Sequence, residues 1–133
     1  MQIKNVFRLL HQETTADESV GISFAHLADN ENLSFYATDI LPGKTITPHY
    51  HNNGSELYFI LSGQGMMHTW PAAGHAKSSH LVKRGDTFKL MPGTVHQLEN
   101  NGIGKLVLLF ACHPSHLTDD RIIVDKQTLE HSS

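Results

Sequence analysis

Apolar positions in this chain recur mostly at every second residue, in short runs broken by Gly, Pro, Asn and Asp. That period belongs to half-buried strands and not to helices. Residues 20–27 alternate, with Ile22, Phe24 and His26 on one face and Ser23, Ala25 and Leu27 on the other. Residues 28–32 (ADNEN) read as a turn and 33–41 as the returning strand, so the two form a hairpin. Further strands are predicted over 56–61, 66–70, 80–83, 87–91, 95–100 and 105–113, with a terminal one over 121–124. Their separators (SGQG, RGD, PGT and NGIG) carry turn chemistry, and 71–79 reads as a surface loop. At the N-terminus, Ile3, Val6, Phe7, Leu9 and Leu10 suit a short strand or extended arm ahead of a polar loop, and 125–130 suits a short helical turn. Nine or ten short strands with hardly any helix-period segment predict an all-β sandwich or barrel.

Composition narrows the picture. A length of 133 residues suits one domain with a real core, divided as an arm over about 1–20, a barrel core over about 33–113 and a tail over 114–133. Ten Lys and Arg against thirteen Asp and Glu give a formal charge of −3 without long runs of either sign. That balance argues against a nucleic-acid partner or an anionic membrane surface. The single cysteine, Cys112, excludes an intrachain disulfide, and its place at the end of an apolar run predicts a buried, inert thiol. No segment is apolar enough for a signal peptide or a membrane span, so a cytoplasmic location is the default expectation. Eleven histidines are an excess for this length, and they are scattered from His11 to His131.

The densest chemistry lies between Gly43 and Gly63. His49 and His51, two apart on a strand, present both imidazoles to one side. After the turn at 52–55, Glu56 opens the next strand. Two imidazoles and a carboxylate converging from adjacent strands make most of a site for a divalent transition metal. Alone, each has a plainer reading: a polar surface pair for the histidines, a solvated strand end for Glu56.

The pattern as a whole resembles the cupin superfamily. Gly43, five residues, His49-Tyr50-His51, four residues, Glu56, six residues and Gly63 fill every fixed position of its first motif. Gly85, Gly93, His96 and Asn100 fall at the spacing of the second; the one departure puts Met91 at the motif's proline and Pro92 one residue later. The motifs span 58 residues. The resemblance implies a double-stranded β-helix, or jelly-roll barrel, as a single domain over 1–133. It also implies a metal held inside by His49, His51, Glu56 and His96, with Asn100 in a structural role. Three imidazoles and one carboxylate suit one divalent transition metal ion, Fe, Mn, Ni, Co, Cu or Zn, and leave open positions for water or substrate. So many nitrogens disfavour a hard-oxygen ion such as Ca(II).

Strand parity then supplies a wall for the site. Tyr58 and Ile60 share a face with Glu56, Leu98 shares one with His96, and Phe88 and Leu90 alternate with polar neighbours. On the facing strand either Phe35 and Ala37 or Tyr36 and Thr38 point inward. Tyr58 is the candidate catalytic hydroxyl. His68, His75, His80, His113 and His116 lack ligand spacing and read as surface or rim, with His68 and Trp70 on one strand face bordering a pocket.

Three functions are compatible. A small-molecule metalloenzyme, dioxygenase-like or isomerase/lyase-like, would use the open metal positions. A non-catalytic binding or sensor cupin would hold a small ligand without turnover. A storage role is disfavoured by the full ligand set. No catalytic triad, phosphate loop or nucleotide fingerprint competes. Family resemblance adds a homodimer paired through its sheets, to which the apolar arm around Ile3 and Val6 can contribute a strand.

Overall fold

The computed structural model describes residues 1–18, 20–71, 76–125 and 129. Alternation along the chain becomes eleven short strands among them. In order these are β1 Thr15–Asp17, β2 Ile22–Asp29, β3 Ser34–Ile40, β4 His49–Tyr50, β5 Glu56–Ser62, β6 Gln64–Trp70, β7 Ser78–Lys83, β8 Thr87–Leu90, β9 Val95–Glu99, β10 Leu106–Cys112 and β11 Ile122–Ile123. They form two antiparallel sheets, a six-stranded one in the order β1-β2-β3-β10-β5-β8 and a five-stranded one in the order β11-β4-β9-β6-β7. The non-sequential neighbours are those of a jelly roll.

Between the sheets lies the core. Tyr36, Ile40, Tyr58, Ile60, Leu108 and Phe110 from the first sheet meet Met67, Val82 and Leu98 from the second. On β3 the choice left open by the sequence is settled: Tyr36 and Thr38 are buried on the inner face, with Tyr36 stacked on Phe110 at 5.1 Å. Cys112 is buried in the same cluster, and burial pushes its thiol well above the ordinary range, as the inert reading expects. Asn100 is fully buried and structural. Its amide donates to the carbonyls of Ile40 (2.7 Å) and Gly104 (2.8 Å), and its carbonyl accepts from Gly102 N–H (2.9 Å), which ties the end of β9 to β3.

The N-terminal segment differs from expectation. Residues Val6–Gln12 form a helix, α1, where a strand or extended arm was predicted. Asn5 caps it by accepting from Arg8 N–H at 3.1 Å, and Val6, Leu9 and Leu10 follow at helical spacing. The capping residue and this i, i+3, i+4 pattern were the available signal, obscured by Ile3 and Phe7 on other phases. The polar stretch read as a loop supplies β1, which pairs with β2 through Thr15 opposite Phe24. Of the predicted helical turn over 125–130, residues 126–128 and 130 lie outside the described residues; Leu129 N–H donates to Asp125 O at 3.2 Å in helical fashion. No helix among the described residues is long and apolar enough to cross a membrane.

Candidate metal centre

His49 lies on β4, His96 on β9 and Glu56 at the start of β5, while His51 follows β4 directly. Register brings them together: His49 sits opposite His96 across the β4–β9 pair. The ring centroids of His49 and His96 are 4.4 Å apart, those of His49 and His51 5.1 Å, and those of His51 and His96 5.5 Å. All three imidazoles and Glu56 are buried.

Each ring is oriented by a backbone carbonyl. Nδ1 of His49 donates to Thr47 O (2.8 Å), Nδ1 of His51 to Asp120 O (2.6 Å) and Nδ1 of His96 to Thr94 O (3.1 Å). A carbonyl can only accept, so Nδ1 carries the hydrogen in each ring and Nε2 keeps a lone pair. The three imidazoles each bring a ring nitrogen within 4.8 Å of the others. A second, overlapping set within the same limit comprises His51, Glu56 and His116. Glu56 Oε2 lies 2.9 Å from His51 Nε2 and 4.0 Å from His96 Nε2.

Electrostatics favour ligand-ready protonation states. Burial, reinforced by neighbouring His96, lowers the His49 imidazole to about 3. Burial likewise lowers His96. For Glu56 burial acts upward, but the hydrogen bond from His116 leads the opposing influences, which outweigh it and hold the carboxyl well below the usual carboxylate range. His49 and His96 therefore present neutral imidazoles and Glu56 an ionised carboxylate, the forms a metal requires.

Two observations test whether a metal fits. His96 Nε2 is buried and has no hydrogen-bond partner among the described residues, a condition that costs about 1–3 kcal/mol if nothing satisfies it. A lone pair on His51 Nε2 facing a carboxylate oxygen at 2.9 Å is repulsive unless a proton or cation lies with them. One cation in the midst of these groups answers both, and the donor set can hold a divalent transition metal.

Tyr58 is buried beside the centre, 6.2 Å between its ring and that of His96. Burial and the charge of Glu56 push its phenol far above 10. A cavity of about 510 Å³ opens between β8 and the β6–β7 pair, with Met67, Thr69, Val82, Phe88, Leu90 and Thr94 on its walls. It adjoins the ligands: Thr69 is opposite His96, Leu90 is opposite Glu56, and Thr94 O holds the His96 ring. Of the four predicted pocket residues, Phe88 and Leu90 line this cavity, while Ile60 and Leu98 are buried in the core cluster.

His116 overturns its reading as a surface or rim residue. It is 1% exposed, on a 3-10 turn at Pro114–Leu117. Nε2 donates to Asn53 O at 2.5 Å, Nδ1 lies 3.4 Å from Glu56 Oε2, and the ring stacks on His51 at 4.0 Å and 3°. Nothing in its local sequence marks it, because chain reversal after β10 carries it inward. His68 and Trp70 share a face of β6 as expected, but it is the face turned away from Met67 and Thr69 and the cavity. His68 there bonds Ser79 Oγ (2.8 Å) and Glu99 Oε1 (3.0 Å), and Lys77 covers Trp70. His80 is exposed at the cavity mouth, His113 caps the 3-10 turn, and His75 lies outside the described residues.

A double-stranded β-helix with inward-facing histidines from its strands defines the class. A family model described as "Cupin domain" matches residues 37–112, so this chain belongs to the cupin family. An uncharacterized protein of Methanocaldococcus jannaschii is 33% identical over 90 residues, 67% of each chain. Germin-like protein 5-1 of Oryza sativa subsp. japonica is 36% identical over 67 residues, 48% of this chain and 28% of its own length. Among solved structures, an uncharacterized conserved protein with a double-stranded β-helix domain from Klebsiella pneumoniae matches with a TM-score of 0.72 at 17% identity, over 95% of this chain and 99% of that one. An oxalate decarboxylase from Bacillus subtilis matches with 0.69 at 23% identity, over 88% of this chain and 31% of the other. The chain thus spans under a third of the germin-like and decarboxylase proteins, and the structural likenesses speak to fold alone.

Proposed function

We propose that this cupin binds one divalent transition metal ion through His49, His51, Glu56 and His96 and acts with it on a small organic molecule. The observation that carries the reading is the buried, unpartnered Nε2 of His96, set among imidazoles whose Nδ1 atoms are already committed to carbonyls. Iron, manganese, nickel, cobalt, copper and zinc all match this nitrogen-rich set. Such an ion supplies Lewis acidity and, if redox-active, electron transfer, which corresponds to isomerase/lyase-like or dioxygenase-like chemistry. The protein's own contribution is a cluster of buried, oriented imidazoles whose strand neighbours Thr69 and Leu90 line the 510 Å³ cavity. Its walls of Met67, Val82, Phe88 and Leu90 favour a molecule with an apolar body over a compact dianion such as oxalate. Tyr58 keeps its proton across the physiological range, so its phenol serves as a hydrogen-bond donor and not as a base.

Elemental analysis of the purified protein and of His49→Ala and His96→Ala tests the assignment. Metal content falls several-fold in both variants while the circular dichroism of the fold survives; full retention in both removes the assignment. Oxygen consumption with candidate diols or thiols under Fe(II) loading then separates oxygenase from isomerase or lyase chemistry.

One observation favours a non-catalytic, ligand-holding role as the second reading. Apart from His80, Asp86 and Lys89, the cavity walls carry no titrating side chain. Ligand binding without turnover under any metal selects that reading.

A homodimer is also proposed. Tyr58 and Ile60 point inward, so Leu57 and Phe59 of β5 face outward, beside Ala111 and Leu109 of β10, and are 51% and 40% exposed. A continuous apolar row on a sheet face fits a second copy of the chain. The N-terminal segment cannot add the strand expected of it, since Val6 is the first residue of α1.

A further inference from the structure

The family match ends at residue 112, yet the chain beyond it holds two residues of the site. His116 is buried against the Glu56 carboxylate (Nδ1 to Oε2, 3.4 Å) and lies flat on the His51 ring (4.0 Å, 3°). Its own ring cannot turn freely, because Nε2 is spent on Asn53 O. Four residues on, Asp120 O accepts from His51 Nδ1, and the Asp120 carboxylate accepts from Asn52 N–H (2.8 Å) and Asn53 N–H (2.7 Å). The same segment then pairs with the strand that carries His49. Ile122 lies opposite Tyr50, Ile123 opposite His49, and Val124 N–H donates to Pro48 O at 3.0 Å.

We infer that residues 113–124 are part of the metal centre, with His116 as the positioning residue that holds the carboxylate of Glu56. This deepens the metal-binding reading above and rests on it. The three imidazoles form one cluster without Glu56, whereas Glu56 clusters with His51 and His116. The carboxylate thus keeps its place through a side chain outside both sequence motifs, as His51 is oriented by the Asp120 carbonyl from the same segment. Groups that orient ligands typically change metal affinity by about ten- to a hundred-fold when removed.

The test is a Co(II) titration of the full chain, followed by visible absorption and by competition with a chelator of known affinity. Parent, His116→Ala, His116→Phe, Glu56→Ala and the His116→Phe/Glu56→Ala double variant are compared. The phenyl ring of His116→Phe keeps the stack on His51 and guards against an alanine variant that does not fold. Loss of His116 weakens Co(II) about ten- to a hundred-fold and changes its absorption bands. In the Glu56→Ala background the same substitution changes affinity by less than about twofold, because the carboxylate it acts through is gone. Unchanged affinity in the single variants overturns the inference, as does an equal loss with Glu56 already removed. A parent protein that takes up no Co(II) instead removes the metal-binding reading itself.

Discussion

At the scale of single residues, His49 shows how the site determines the protein's response to acid. Burial and the neighbouring His96 hold its folded-state value near 3, against 6.5 for an ordinary imidazole. Between those values the unfolded chain takes up a proton that the folded chain refuses, so stability is full above about 6.5 and is lost progressively as pH falls toward 3. Glu56 acts with the same sign. Its folded value lies below 4.5, so its contribution is present above that pH and is lost as pH falls through the folded value. His116 has the opposite sign. Burial lowers it, but hydrogen bonds to Glu56 and Asn53 prevail and raise it above 6.5, so its contribution fades as pH rises through the raised value. The urea midpoint of chelator-stripped protein therefore falls between pH 6.5 and pH 4, and His49→Phe flattens that limb. Unchanged pH dependence in the variant removes His49 as its cause.

At the scale of elements, the segment after β10 works as a strap whose fastening is Asp120. Burial acts to raise its carboxyl, but the N–H groups of Asn52 and Asn53 prevail and lower it. Those two bonds close the turn between His51 and Glu56, the spacing that sets the one side chain against the other. Asp120→Ala leaves both donors to water or unsatisfied and destabilises the fold by about 1–3 kcal/mol in urea denaturation. An equal effect of neighbouring Asp119→Ala would contradict this assignment, since among the described residues no hydrogen bond joins Asp119 to that turn. Gly63 is the other element-scale constraint. β5 and β6 are separated by this residue alone, at φ 86°, and a Cβ there would run into the Lys105 carbonyl.

At the scale of the whole molecule, two sheets share one core and leave two apolar surfaces, the cavity inside and the Leu57–Phe59 row outside. The proposed dimer predicts that sedimentation equilibrium gives twice the chain mass for the parent protein and that Phe59→Lys, which places a charge in the row, shifts it to the single-chain mass. A parent that sediments as one chain ends the dimer proposal.

What the sequence by itself determined follows from periodicity and spacing. A two-residue alternation with Gly, Pro and Asn punctuation is a local property, so an all-β sandwich or barrel was legible before any coordinates, and the resemblance to the cupins implied the jelly roll. His49, His51 and Glu56 were legible from strand parity and the turn between them, and His96 and Asn100 through the resemblance to the second cupin motif. The helix at Val6–Gln12 was legible in principle from Asn5 and the spacing of Val6, Leu9 and Leu10, though apolar residues on other phases masked it. Only the tertiary structure decided the rest. Residue 116 lies 60 positions from Glu56 along the chain and meets it because β10 and β5 are paired and the following 3-10 turn doubles back over their end. Whether Tyr36 or Phe35 faced inward was likewise undetermined by alternation, which defines two faces without naming the buried one. Register against β10 made that choice, since Tyr36 falls opposite Phe110. Side chains that act through such long-range pairings leave no periodic trace in the sequence, and His116 is the residue of this site for which that holds.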